Sequence, residues 1–283
     1  MPNIVSLIDG SEYSDSICEL SAWFAKRLDA SIDVVHVLGR RDVSENASNL
    51  SGSIGLGARS SLLEELSELD AKKAKLVAQR GRELLENAQA YLTNAGVEQV
   101  STKLRNAEII ETIADYESTT DLIVLGKRGM GADYDKMHLG SNLERVARSS
   151  QKPVLVASRV IRPIKRFMIA FDGGNSVWKA IEYACSNSNF TDLHCSLITV
   201  GENNSNAAGL ERAAKTLRDA GYEVEAEVVS GEPESAIAAK VESADIHLLL
   251  MGAYGHSRIR NLIIGSTTTE MLRSCKIPVL LFR

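Results

Sequence analysis

Ile4-Val5-Ser6-Leu7-Ile8-Asp9-Gly10 and Phe167-Met168-Ile169-Ala170-Phe171-Asp172-Gly173 are one pattern written twice: a short apolar run that stops at Asp-Gly. Three more features follow each copy in the same order. Asp121-Leu122-Ile123-Val124-Leu125-Gly126 corresponds to His247-Leu248-Leu249-Leu250-Met251-Gly252. Leu139-Gly140-Ser141 corresponds to Ile264-Gly265-Ser266, and Lys152-Pro153-Val154-Leu155-Val156 to Ile277-Pro278-Val279-Leu280-Leu281. Recurrence of several features in one order marks a duplicated unit. The boundary falls at 159–165, where Pro163 and several charges interrupt the apolar pattern, and divides the chain into 1–160 and 161–283.

Each half alternates strands with helices. In the first half the short β-branched or continuous apolar runs predict strands at 3–8, 32–38, 98–104, 121–126 and 153–158. Ile17, Leu20, Phe24 and Leu28 have helical spacing between the first two. A long helix is predicted over 62–95, with Leu62, Leu66, Leu69, Val77, Leu84, Ala88 and Leu92 on its apolar side and Gly96 as its stop. In the second half the pattern predicts strands at 166–172, 193–200, 223–229, 246–252 and 277–282, and helices at 175–187, 207–220, 233–243 and 266–274. Such alternation implies an α/β fold, with a parallel sheet covered by helices on both faces. The Gly/Ser/Asn-rich stretch 39–60 is read as a surface loop, with a lid or partner-binding loop as the functional alternative.

The 283 residues suit two domains of ordinary size. A net charge of −5 makes a poor non-specific binder of nucleic acid or anionic lipid. No apolar run approaches the roughly 18 residues of a membrane span, and Met1 to Leu7 do not form a signal peptide. Cys18, Cys185, Cys195 and Cys275 are scattered without a CxxC pair, which points to reduced, buried thiols in a cytoplasmic protein.

Ligands of open parallel sheets bind beyond the carboxyl ends of the strands, where the strand order reverses. The repeated features lie at such ends: Asp9 and Asp172 close the first strand of each half, Gly126 and Gly252 the fourth. Gly252 and Gly255 let the backbone approach a ligand with no Cβ in the way. Gly265-Ser266 opens the next helix, whose free N–H groups suit a phosphate, and Arg258 and Arg260 add positive charge. The same residues also fit a tight connection with Ser266 as an ordinary N-cap. The P-loop pattern GxxxxGK[ST] and a GxGxxG after the first strand are both absent, against a P-loop NTPase or a Rossmann dehydrogenase.

On these residues the chain resembles the universal stress protein family, as a tandem two-domain member, over nearly its whole length. The family's nucleotide signature is Gly, two residues, Gly, nine residues, Gly, then Ser or Thr. Gly252, Gly255, Gly265 and Ser266 fit it without a gap, and Thr267 follows. The resemblance implies two five-stranded parallel open sheets of Rossmann-like, adenine nucleotide α-hydrolase-like type. It implies that the loop carrying His256 and Arg258 holds phosphates, that Asp172 sits by the adenosine, and that the backbone of Val200 holds the adenine. It further implies that the last strands, Val154–Ala157 and Val279–Phe282, join the halves as an internal pseudo-dimer. The implied ligand is ATP, with ADP or AMP as alternatives and Mg²⁺ as companion ion; a further homodimer and a protein partner are left open.

The first half departs from the signature. Gly126, Gly129, Gly140 and Ser141 are present, followed by Asn142, but ten residues separate Gly129 from Gly140. The longer loop carries Asp133 and Asp135, which repel phosphate unless a metal or Lys136 compensates. Asp9 and Val37 match the adenosine positions. The nucleotide is therefore expected mainly in the C-terminal half.

Other chemistry is poorly supported. His36, His138, His194, His247 and His256 show no HExxH or close pairing, and His36 and His247 read as packed in strands. Trp23 and Trp178, in the first helix of each half, read as packing residues. The charged stretch 64–86 reads as a solvated helix face. Three functions fit this pattern: a nucleotide-binding regulator of the stress response, a slow ATPase, and a scaffold or binder of some other ligand. The first is preferred, since phosphoryl transfer needs an oriented water and no convincing general base is visible.

Overall fold

A computed structural model describes residues 1–39, 56–129, 139–186, 190–201, 207–253 and 266–283, the side chains of 56–64 and of Ser266 excepted. The first half runs β1 (Asn3–Leu7), α1 (Ser14–Leu28), β2 (Ser31–Leu38), α2 (Leu56–Asn94), β3 (Val100–Asn106), α3 (Ile109–Tyr116), β4 (Leu122–Gly126), α4 (Ser141–Ser149) and β5 (Val154–Ala157). The second runs β6 (Arg166–Ala170), α5 (Asn175–Ser186), β7 (His194–Val200), α6 (Ala207–Asp219), β8 (Val224–Val229), α7 (Pro233–Ser243), β9 (Leu248–Gly252), α8 (Ser266–Ser274) and β10 (Val279–Phe282).

The strands form one ten-stranded sheet in the order β3-β2-β1-β4-β5-β10-β9-β6-β7-β8. Within each half every pairing is parallel, as in β1 with β2 and β4, or β6 with β7 and β9. The halves meet where β5 and β10 pair antiparallel, with Leu155 opposite Leu280. This is the joint that the family resemblance implies. Because the joint is antiparallel, the carboxyl ends of the first half's strands lie along one edge of the sheet and those of the second half along the other.

The core has one layer on each face. One gathers Ile17, Leu20 and Phe24 of α1, Leu85, Ala88 and Leu92 of α2, and Val177 and Ile181 of α5. The other gathers Ile113 of α3, Leu143 and Val146 of α4, Ile237 of α7 and Met271 of α8. Strands β4, β5, β9 and β10 are buried on both faces, which explains their unbroken apolar runs. The outermost strands, β3 and β8, alternate half-buried with exposed residues.

Three expectations need correction. The loop expected over 39–60 ends earlier, because α2 begins at Leu56 in a run without proline; its part at 40–55 lies outside the described residues. The apolar side expected along the long helix is buried only from Gly81 onward, and Leu69 is 59% exposed. The helix continues past the sheet, so apolar spacing in its first half has no sheet beneath it. Helix α3 was not anticipated: it has only eight residues, too few for a clear period, and a reciprocal Glu108–Glu111 capping box starts it.

Candidate functional site

In each half the strand order reverses between the first and fourth strands, and Asp9 with Gly126, or Asp172 with Gly252, flank that point. Two residues past β6, the Asp172 carboxylate accepts a hydrogen bond from the Gly174 amide at 2.9 Å. Gly173 takes φ 78°, a left-handed value that glycine adopts without strain. This tight Asx-type turn feeds α5 and holds Asp172 half-buried at the sheet edge.

Gly252 ends β9 against the start of α5: a Cβ there would lie 3.0 Å from the Ser176 Cβ. That approach is tighter than a Cβ ordinarily makes, so a side chain there would press on the start of α5. The buried Thr268, in the first turn of α8, donates its hydroxyl to the carbonyls of Gly252 and Ala253, each at 3.3 Å. The N-terminus of α8 is thereby tied to the end of β9. Thr268 was not foreseen, although a hydroxyl two residues into a helix after Gly-Ser is a visible signal. Thr267 is half-buried beside it. Val200 ends β7 and is half-buried, its strand lying next to β6. Gly255, His256, Arg258 and Gly265, with Arg260 and Tyr254, lie outside the described residues, as does the side chain of Ser266.

In the first half, Asp9 accepts from the Ser11 amide at 3.0 Å, and Gly10 takes φ 77°. A Cβ on Gly129 would lie 2.8 Å from Asp9 Oδ2, so the strand-end loops of β1 and β4 touch through that carboxylate. Gly140 closes the same corner: its amide donates to the Lys127 carbonyl at 3.0 Å, and a Cβ there would lie 3.2 Å from the Arg128 Cα. Gly140 is the N-cap of α4 and supplies no side-chain cap, while Ser141 and Asn142 are exposed on the first turn. Val37 is half-buried near the end of β2. Thus Asp9, Gly129 and Gly140 come together, with Gly126 packed on the Tyr13 ring. Asp133 and Asp135, with Lys136 and His138, lie outside the described residues.

The two halves are tied to each other at each edge through helix ends. Lys127, directly after β4, is buried, and its ammonium donates to the Cys275 carbonyl just past α8. In the reverse direction Arg283, directly after β10, donates to the Arg148 carbonyl in the last turn of α4. Each cation meets the negative end of a helix from the other half. Burial pulls the Lys127 pKa down to about 8, with Arg128 reinforcing this and Cys275 opposing it. The sign of this crossing in sequence is a break in the repeat: Lys127 stands where the second copy has Ala253.

Among the described residues, the histidines serve packing and local pairs. His36 bonds the Ile8 carbonyl through Nδ1 at 2.7 Å and packs against Gly81 of α2. His247 precedes β9, buried, and its Nε2 lies 3.5 Å from Asp245. Trp23 stacks on Phe190 and under Arg27, and Trp178 meets Phe171 edge-on and carries Arg212 on its face. Among the described residues no group of three His, Cys, Asp or Glu is arranged to hold a metal ion, and no helix is long and apolar enough to cross a membrane. Burial raises the thiol pKa of Cys18 to about 12 and pushes that of Cys195 up as well.

A family model described as "Universal stress protein family" matches residues 1–158 and 198–283. The chain is 40% identical to the universal stress protein Slr1230 of Synechocystis sp. over 287 residues, covering the whole of both chains. It is 30% identical to the universal stress protein YxiE of Bacillus subtilis over 151 residues, 53% of this chain and 93% of that one. The fold is shared with a universal stress protein of Archaeoglobus fulgidus, with a TM-score of 0.77 at 22% identity over 99% of this chain and 98% of that one. The chain belongs to the universal stress protein family and carries the family's fold twice in one sheet.

Proposed function

We propose that the protein is an adenine-nucleotide-binding regulator of the stress response, and that its C-terminal half, 161–283, holds the nucleotide. The observation that carries this reading is the corner made by Asp172, Gly252 and the start of α8, at the point where the strand order reverses. The unbroken spacing of Gly252, Gly255, Gly265 and Ser266 joins that corner to a helix N-terminus. Half-buried Asp172 suits a ribose hydroxyl, and Val200 offers its backbone to the base edge. The amides at the start of α8, with Arg258 and His256 of the loop, suit the phosphates of ATP, ADP or AMP. Mg²⁺ would arrive with the phosphates, and Asp172 would be a carboxylate able to receive it.

The N-terminal half, 1–160, is the weaker site in this reading. Its longer loop carries Asp133 and Asp135, whereas residues 253–265 carry no acid, and added negative charge in the loop opposes an anion. The protein is a binder rather than a rapid catalyst: bound nucleotide biases the molecule through its differing affinity for two states.

Native mass spectrometry of the gently purified chain, followed by identification of the released nucleotide, tests this. One adenine nucleotide per chain, lost in Gly252→Val and kept in Gly126→Val, is the expected result. A chain that takes up no ATP at cellular concentration removes the reading. Nucleotide lost only on the N-terminal substitution reverses the assignment of halves.

A further inference from the structure

Helix α2 is longer than the half it packs on. Its 39 residues extend about 58 Å at 1.5 Å per residue. The strands beneath it, β2 and β3, have eight and seven residues, about 25 Å at the strand rise. None of the described side chains from 65 to 80 is buried, and docking starts at Gly81, followed by Leu85, Ala88 and Leu92. In the undocked stretch, Leu69 is 59% and Leu76 66% exposed, seven residues apart. Leu66 and Val77, half-buried, fall on the same side at helical spacing. The four make a stripe about 100° wide, the width of a helix–helix seam.

Charge along the stretch changes sign once. From 64 to 70 the ionisable residues are Glu64, Glu65, Glu68 and Asp70; from 71 to 82 they are Lys72, Lys73, Lys75, Arg80 and Arg82. The helix dipole does not account for this, because its influence fades within the terminal turns. Both blocks lie more than two turns inside Leu56–Asn94. Within the helix, the i,i+4 contact of Lys72 with Glu68, at 3.9 Å, ties the blocks at their junction.

We propose that residues 65–82 of α2 are a self-association surface that pairs antiparallel with the same stretch of a second copy, about a two-fold axis near Ala71. Antiparallel pairing sets Glu65 and Asp70 of each chain, which flank the stripe, beside Lys72 and Lys73 of the other. Parallel pairing would set like charges side by side, so charge fixes the orientation. The contact is isologous and therefore closes at two copies. It covers Leu66, Leu69, Leu76 and Val77 of both chains, the apolar stripe that the sheet leaves uncovered. Two helix stretches bury less than the roughly 800 Å² per partner of a standard interface. The dimer is accordingly weak, and its dependence on facing charges makes it salt-sensitive.

Sedimentation velocity of the full chain over a wide concentration range tests this, in low and high salt. The expected result is a monomer–dimer equilibrium that salt weakens. L69E/L76E, K72E/K73E and E65K/D70K each raise the dissociation constant at least about tenfold, a loss of about 1.4 kcal/mol. All three keep the wild-type circular dichroism and unfolding midpoint, since the altered side chains are exposed or at the helix surface. Mixing the two charge variants restores a dimer. Orientation is read by spin labels in a Cys185→Ser background. Labels at Ala71→Cys lie level with the axis and are the nearer pair, whereas those at Arg82→Cys are separated along it by about 33 Å at 1.5 Å per residue. A wild-type chain that stays monomeric in low salt overturns the assignment. So does a dimer that all three variants leave intact, or one with equal distances at 71 and 82.

Discussion

Replacing Lys127 with Met tests the joint between the halves. Lys127 is 8% exposed, and its ammonium donates to the Cys275 carbonyl across that joint. Burial is the largest cause lowering its pKa from 10.5 to about 8. A lysine whose folded pKa lies below its unfolded value binds fewer protons folded than unfolded between those values, so its contribution to stability rises with pH there. Below about pH 8 both states are charged and the full burial cost is present; by about pH 10.5 it has been relieved. The shift corresponds to about 3 kcal/mol as an order of magnitude. At neutral pH, Lys127→Met removes that cost but also a charged hydrogen bond worth about 1.5–3 kcal/mol, so net stability changes little. The assay is urea unfolding of wild type and variant at steps from pH 7 to 10.5. Buried thiols and phenols such as Cys18 and Tyr222 pull both curves down at high pH, because burial raises their pKa values. They cancel in the difference. That difference should move by about 3 kcal/mol in favour of wild type; parallel curves would refute the burial of Lys127.

Leu155 is fully buried opposite Leu280 at the antiparallel joint, so Leu155→Ala should cost about 2–5 kcal/mol in urea unfolding; a smaller loss would mean that the joint collapses around the gap. Burial lowers the pKa of His247, and its Nδ1 has no hydrogen-bond partner among the described residues. Above pH about 6.5 both states are neutral and the group is without effect; as pH falls below that, the unfolded state takes the proton first and stability drops. His247→Gln should flatten this acid-side slope in unfolding titrations, and an unchanged slope would assign it to another group. Gly129→Ala places a Cβ within 2.8 Å of Asp9 Oδ2. The carboxylate can turn away, so the variant should keep the wild-type unfolding midpoint, and a large drop would show the corner to be rigid.

The duplication was legible because three of the four repeated features sit on strands or their carboxyl ends, where burial on both faces and close backbone approach restrict the choice of residue, and the fourth opens the helix that follows. Strand positions followed: β6 was expected at 166–172 and spans Arg166–Ala170. Helix α2 was misjudged because periodicity reports an apolar side without saying what faces it; Leu69 and Leu92 share the pattern, yet one is exposed and the other fully buried. Helix α3 was missed because eight residues carry scarcely two turns. In the candidate site, Asp172, Gly252, Asp9 and Gly129 were visible as strand-end punctuation. Lys127 and Arg283 were not, because their partners are backbone carbonyls far along the chain, and a carbonyl leaves no trace in residue type. A repeat compared position by position exposes such residues where the copies differ, as Lys127 differs from Ala253.

The most direct test of the nucleotide reading is equilibrium binding of ATP to the full chain, followed by the same titration of Gly252→Val. In that variant the first added carbon must enter a space 3.0 Å from Ser176 Cβ. The expected result is saturable binding of one ATP per chain that Gly252→Val abolishes while the β5–β10 joint, read by the unfolding midpoint, survives. Binding left unchanged by Gly252→Val, in a chain that remains folded, would contradict the account.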